Sequence, residues 1–441
     1  MRPLLRDVLA FVWLCALSLY VLGGVLLAPF HGDESTQIYM GRDFFYMTDA
    51  STLERVFYSD TPVSPTEQAL RLLNGTLPKM VYGALASALG YTPATLNEQW
   101  EWGADFAYNE RTNRLPPQDL LTWARVASAF GLVVGVWGLY LLGKNAFGEW
   151  AGILACTLFA LHPDVLLNGR RAMMEGFMLG FSVLAVWAGV RALRARAVFG
   201  VWQFLGFVSA LAVASKHTAA FTVASVFVAL ALLALFARPF RLRHTIGQAV
   251  GLLIAAALAV AGFLALNPAW WSAPLERVQT VLELRQNLLE GQVATFGGYA
   301  DAQAQAVGFL RQVFTPTPQY YEVEAWASYL DDDIRAYEAS LWAGGGDVWR
   351  AAWAIGVALG LASLAQTGRT LTSAQWLVVV WLAGMIGLTL GLTPLEWHRY
   401  YLPITPVLAL IAGHGLVWAV QQLARQRQEA RRPNDPQNPF S

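Results

Sequence analysis

Long stretches of this chain carry no charge at all. The first is LAFVWLCALSLYVLGGVLLAPF, residues 9–30, and comparable blocks recur as far as residue 421. About 20 uncharged apolar residues in a row are enough to cross a bilayer core as a helix. That feature leaves little freedom in fold class. Only 14% of the 441 residues are charged, where a soluble domain carries about a quarter, and mean hydropathy is +0.41. The chain is therefore expected to be an all-α polytopic membrane protein.

About ten spans are expected, near residues 8–29, 120–143, 147–162, 173–191, 198–215, 218–237, 245–267, 348–366, 374–393 and 400–421. The third and fifth are short. The first resembles a secretory signal peptide, with Arg2 and Arg6 ahead of it. Its apolar core is longer than such a segment needs, so it is read as an uncleaved helix. Lys and Arg favour the cytoplasmic side in short connections. Arg2, Arg6, Lys144, Arg191, Arg194, Arg196, Arg238, Arg241, Arg243, Arg369, Arg425, Arg427, Arg431 and Arg432 fall on one side when the N-terminus is placed inside. The opposite short turns hold only Arg170, Arg171, Lys216 and Arg399. The expectation is a multi-pass protein of the inner (cytoplasmic) membrane with both termini in the cytoplasm.

Two long loops, about 30–119 and 268–347, then face outward. TLPKMVYGALASALG in the first is too short to span and is expected to lie at the interface. ERVQTVLELRQNLLEG in the second is amphipathic. The membrane domain is taken as residues 1–421. Residues 422–441, polar and proline-rich, are expected to be a disordered tail. Lysines and arginines balance aspartates and glutamates, so net charge implies no nucleic-acid partner. Cys15 and Cys156 lie inside apolar blocks and imply no disulfide framework.

Charged residues that should avoid a membrane gather on the outer side. They are Asp33 and Glu34 after the first span, Lys79, Arg125, His162, Asp164, Arg170, Arg171, Glu175, Lys216, His217, Glu396, His398 and Arg399. Acids and bases at one depth suit an anionic lipid head group together with a polar acceptor. Each residue also has a plainer reading. Asp33 and Glu34 could cap a helix, Arg171 and Glu175 could form an i,i+4 pair, and Lys216 and Arg399 could snorkel. Asp331, Asp332 and Asp333 are an acidic run that is more simply a solvated turn, and no metal site is expected. Asn74-Gly-Thr76 matches a short glycosylation pattern.

Several of these stretches, in this order, resemble the GT-C glycosyltransferases. The nearest relatives are the dolichyl-phosphate-mannose:protein mannosyltransferases and the lipid A aminoarabinose transferases. The stretches are HGDESTQIYMGRDFFY, TLPKMVYGALASALG, ALHPDVLLNGRRAMMEG, SKHTAAFTV and EWHRYYLPITPVLALIAG. His217 departs from the tyrosine common at its position. The resemblance implies transfer of a sugar from a polyprenyl-phosphate donor to an acceptor on the outer face. Stereochemistry would invert and no cofactor would be required. Asp33 would be the general base and Glu34 would assist it. Lys79, Arg171, Lys216 and Arg399 would bind the donor phosphate. Tyr39, Glu175 and His398 would touch sugar or acceptor. The alternative is a transporter or flippase of lipid-linked saccharides. It predicts charge along a path through the midplane, whereas the expected spans are mostly uncharged at their centres.

Overall fold

The computed structural model describes residues 3–194, 200–236, 242–323, 326 and 328–430. Among them every regular element is helical. In chain order these are α1 (Pro3–Gly23), α2 (Gly32–Tyr39), α3 (Arg42–Thr48), α4 (Pro65–Leu73), α5 (Thr76–Ala88), α6 (Phe106–Arg111) and α7 (Gln118–Ala146). There follow α8 (Glu149–Ala160), α9 (Pro163–Arg170), α10 (Glu175–Ala192), α11 (Val201–Ser215), α12 (Ala219–Leu235) and α13 (Leu242–Leu266). The chain ends with α14 (Pro274–Phe296), α15 (Ala302–Phe314), α16 (Asp331–Ala339), α17 (Asp347–Thr367), α18 (Ser373–Leu392) and α19 (Thr405–Ala430).

Every apolar segment expected to span is helical. Among the described residues seven helices are long and apolar enough to cross a membrane: α1, α7, α10, α13, α17, α18 and α19. The chain is thus a multi-pass membrane protein. The expected count of about ten is met only in part. α8 and α9 form one bent pair, turned by 63° at a break that ends in Pro163. Proline removes a helical N–H and is tolerated in a first turn, so the chain restarts there. α11 and α12, of 15 and 17 residues, are apolar but shorter than those seven.

Close helix contact is set by glycine. A Cβ on Gly180 of α10 would lie 2.2 Å from the Gly131 carbonyl of α7, and one on Gly360 of α17 would lie 2.2 Å from the Ile411 carbonyl of α19. Within a bilayer, small residues spaced by four let backbones touch and gain dispersion energy. Gly131 and Gly135, Gly176 and Gly180, and Gly356 and Gly360 all have that spacing.

Both long connections sit at one end of the bundle, here called the loop end. α5 does not lie free at an interface. Tyr82 on it is wholly buried and its hydroxyl donates to the Met173 carbonyl, 2.7 Å away, so the helix is locked against the bundle. α14, expected to be amphipathic, packs Val281 and Leu284 against Leu72 and Trp270 but leaves Leu275 and Leu282 exposed. Residues 422–430, placed in the tail from sequence, continue α19. Arg2, Arg196, Arg238, Arg241, Arg431, Arg432 and the rest of the tail lie outside the described residues.

Candidate active site

His31 begins the site. It is the N-cap of α2: its Nδ1 accepts the Asp33 amide at 3.1 Å, while Glu34 reaches back to the His31 amide at 3.0 Å. This reciprocal box satisfies two helix-end donors. It also separates the two adjacent carboxylates. Glu34 turns into the protein and Asp33 turns toward the loop end.

Glu34 is fully buried. Arg125 of α7 grips it with two bonds of 2.7 and 2.8 Å, and the Ala172 amide donates to it at 2.8 Å. Burial raises its pKa, but Arg125 and then Arg171 overcome this and hold it below the usual carboxylate range. With these donors in place Glu34 works as a joint between α2, α7 and the segment after α9. Its carboxylate oxygens are taken up by Arg125, the His31 amide and the Ala172 amide.

Asp33 differs. Its side chain remains 27% exposed and pairs with Arg399, just ahead of α19. Arg399 also holds Glu322 through a 2.7 Å ion pair, and the proton on His31 Nε2 is donated to Glu322 at 3.0 Å. His31, Asp33, Glu322 and Arg399 therefore form a closed ring of charges and hydrogen bonds. Burial pushes Asp33 upward, yet Arg399 and His31 outweigh it and the net direction is down. Glu322 follows the same pattern, with burial opposed by Arg399 and His31. Burial opposes the charge on Arg399, but Glu322, Asp33 and Glu175 hold it well above its ordinary value.

The other expected cations are distributed differently. Lys216 meets Glu175 at 2.6 Å, and Glu175 is near enough to bear on Arg399. The second Glu175 oxygen is buried with no hydrogen-bond partner. Lys79 does not join Asp33. It is buried against Asp43 at 2.8 Å, beside Arg71 and Glu67. Burial lowers its pKa more than Asp43 raises it. Arg171 is also enclosed, donating to the Pro29 carbonyl at 3.0 Å and the Tyr320 carbonyl at 2.9 Å. Both residues are spent on joining elements because buried carboxylates and carbonyls require partners. Tyr39 lies with the Lys79 cluster and donates to Glu67 at 3.3 Å; burial, then Glu67, push it up to about 12. His398 bonds the Thr317 carbonyl at 2.6 Å and lies 3.7 Å from Asp164. Among the described residues no three His, Cys, Asp or Glu side chains are grouped to hold a metal ion.

Residues 119–264, a third of the chain running from α7 through α13, match the family model described as dolichyl-phosphate-mannose-protein mannosyltransferase. No curated protein matches by sequence. Among solved structures, the apo oligosaccharyltransferase of Archaeoglobus fulgidus aligns with a TM-score of 0.54 at 14% identity, covering 96% of this chain and 52% of that one. The same archaeon's AglB, solved with an inhibitory peptide and a dolichol-phosphate, gives 0.53 at 15% identity, with 96% and 52% covered. ArnT from Cupriavidus metallidurans, solved with undecaprenyl phosphate, gives 0.50 at 14% identity, with 95% and 63% covered. The chain has the GT-C fold. It spans about half the length of the oligosaccharyltransferases it resembles.

Two residues of this GT-C chain escaped the sequence reading. Glu322 lies in a long loop with no periodicity, so nothing marked it apart from neighbouring acids. Arg285 sits on α14. Its guanidinium lies 5.8 Å from the Tyr400 ring centre. It also acts on His217, which burial, then Arg285 and Lys79, push down to about 4. The described residues show no carboxylate paired with Arg285. The amphipathic pattern of α14 could have found it, because Arg285 follows the packed Val281 and Leu284 on the helix's inner side.

Proposed function

We propose that this chain is an integral-membrane glycosyltransferase moving a sugar from a polyprenyl-phosphate donor to an acceptor nucleophile on the outer face of the inner membrane. The observation that carries the reading is the Asp33–Arg399 pair. It joins the exit of the first membrane helix to the entry of the last. A carboxylate beside a cation at the end of two apolar helices supports a base next to a site for the lipid phosphate.

The chemistry divides between these groups. The acceptor hydroxyl or amine loses its proton to Asp33 as its bond to the anomeric carbon forms. The bond from that carbon to the phosphate oxygen breaks, and its electron pair leaves with the polyprenyl phosphate. Arg399, Lys216 and Arg285 are the cations assigned to that growing charge. Arg399 has a second effect. While it pairs with Asp33 the carboxylate is a weak base. Its transfer to an arriving phosphate would remove the dominant charge lowering the Asp33 pKa, so donor binding would strengthen the base. With Glu322 buried and held by both His31 and Arg399, Asp33 is the more exposed carboxylate of the ring, which suits single displacement with inversion.

The test uses protein in lipid nanodiscs supplied with a panel of polyprenyl-phosphate sugars and candidate acceptors. Wild type is expected to release free lipid phosphate with one donor. Asp33→Asn is expected to lower that rate at least 100-fold, about 2.7 kcal/mol in the barrier, while still binding the donor. An unchanged rate in Asp33→Asn would remove Asp33 from the base role. Labelled donor crossing the bilayer intact would support transport instead.

A further inference from the structure

Aromatic rings from three separate loops meet above the Asp33 ring of charges. Trp102, in the first long connection, lies 5.6 Å from His31 and 4.7 Å from Trp326. Trp326 lies 5.6 Å from Phe296, and Phe296 lies 5.7 Å from Trp397. Trp397 lies 5.5 Å from Tyr400, the neighbour of Arg399. The arc therefore starts on His31 and ends beside Arg399, and those two residues close it through Glu322.

Two features separate this arc from ordinary packing. Phe296 is 41% exposed, and Trp102 and Trp326 are half-buried. The indole N–H groups of Trp102 and Trp326 also have no hydrogen-bond partner among the described residues. Three buried indoles do donate, Trp349 to Leu158, Trp353 to Val313 and Trp381 to Thr222, while the buried N–H groups of Trp187 and Trp270 have no partner; what marks Trp102 and Trp326 is that their donors are only half-buried. The arc thus presents apolar ring faces with free donors at their edges. A pyranose has the complementary surface, with a face of C–H groups and a rim of hydroxyls. Aromatic side chains serve where one side of a ligand is apolar and the other is wet. An isoprenoid chain offers nothing to the N–H donors and belongs in the bilayer, away from these loops. An extended peptide needs partners for its own backbone, and among the described residues no strand edge is present.

We propose that the acceptor is a saccharide, seated against Trp102, Trp326 and Phe296 with its nucleophilic hydroxyl toward Asp33. This deepens the transferase reading and rests on its assignment of Asp33. The first measurement needs no donor. Protein in nanodiscs is titrated calorimetrically with mannotriose, cellotetraose and chitotetraose, and with a Ser/Thr-rich peptide. At least one saccharide is expected to bind, and Trp326→Ala and Trp102→Ala are each expected to weaken it fivefold or more. Binding of undecaprenyl phosphate serves as the folding control and is expected to persist in both. Should Trp326→Ala fail that control, Trp326→Phe decides. It keeps a ring but loses the N–H, and a weakening of twofold or more is expected. Absence of binding by all three saccharides would overturn the proposal. So would affinities untouched by every substitution, or binding of the peptide alone. Transfer to a peptide or lipid in the donor assay would overturn it and leave the transferase standing. Labelled donor crossing the bilayer intact, with saccharide bound but not glycosylated, would overturn the transferase reading and the acceptor assignment with it.

Discussion

Asp33 and Glu34 show how one peptide bond separates two roles. The capping box at His31 sends Glu34 inward to Arg125 and leaves Asp33 at the surface of the site. Removing one partner of a buried pair leaves an uncompensated charge, a loss of about 3–5 kcal/mol. Arg125→Ala is therefore expected to lower thermal stability severely, whereas Asp33→Asn, which leaves Arg399 paired with Glu322, is expected to lower it much less. Melting both variants in nanodiscs checks this. Equal melting temperatures would mean that Glu34 is not a structural joint. His398 gives a pH dependence. Burial lowers its pKa, but the nearby Asp164 carboxylate and the Thr317 carbonyl raise it above the ordinary imidazole value. A group with a raised folded pKa stabilises fully below its unfolded pKa, and that stabilisation is lost as pH rises through the folded value. Wild type should thus exceed His398→Gln most below about pH 6.5, the ordinary value, with the gap narrowing toward alkaline pH. A gap independent of pH between 6 and 9 would show that the imidazolium plays no part.

At the scale of elements, α14 is the least expected contributor. Its inner face packs on Trp270 and Tyr58, and the same side delivers Arg285 toward Tyr400 and His217. A charge-assisted hydrogen bond to phosphate is worth about 1.5–3 kcal/mol. Arg285→Ala is accordingly expected to weaken undecaprenyl phosphate binding roughly 10- to 100-fold at low salt, with the fold intact. Retention of wild-type affinity would take α14 out of the donor site. α5 is the converse case. Its lysine has the right sequence surroundings for a phosphate ligand, yet the helix buries Lys79 against Asp43. A solvent-exposed interfacial helix would have left that charge free. The locking of Tyr82 onto Met173 is what prevents it.

For the whole molecule, the legible part of the sequence was the part written in uncharged length. Every expected span is helical because an apolar block in lipid must satisfy its own backbone hydrogen bonds. Pro163 marks the break between α8 and α9 for an equally local reason. Asp33 and Arg399 could be selected because charge beside such blocks is rare enough to stand out. Which cation serves which carboxylate was not local. Lys79, Arg171, Lys216 and Arg399 look alike in sequence, and only packing sends two of them into buried joints and brings Arg399 to Asp33. Glu322, Arg285 and the aromatic arc come from loops and helices hundreds of residues apart in places, with no period to mark them. The sequence by itself determined a helical membrane protein with charges gathered beside its apolar blocks, since hydrophobic length and charge act residue by residue. The tertiary structure alone decided which charges pair, because a buried charge takes whichever partner the fold brings within about 3 Å.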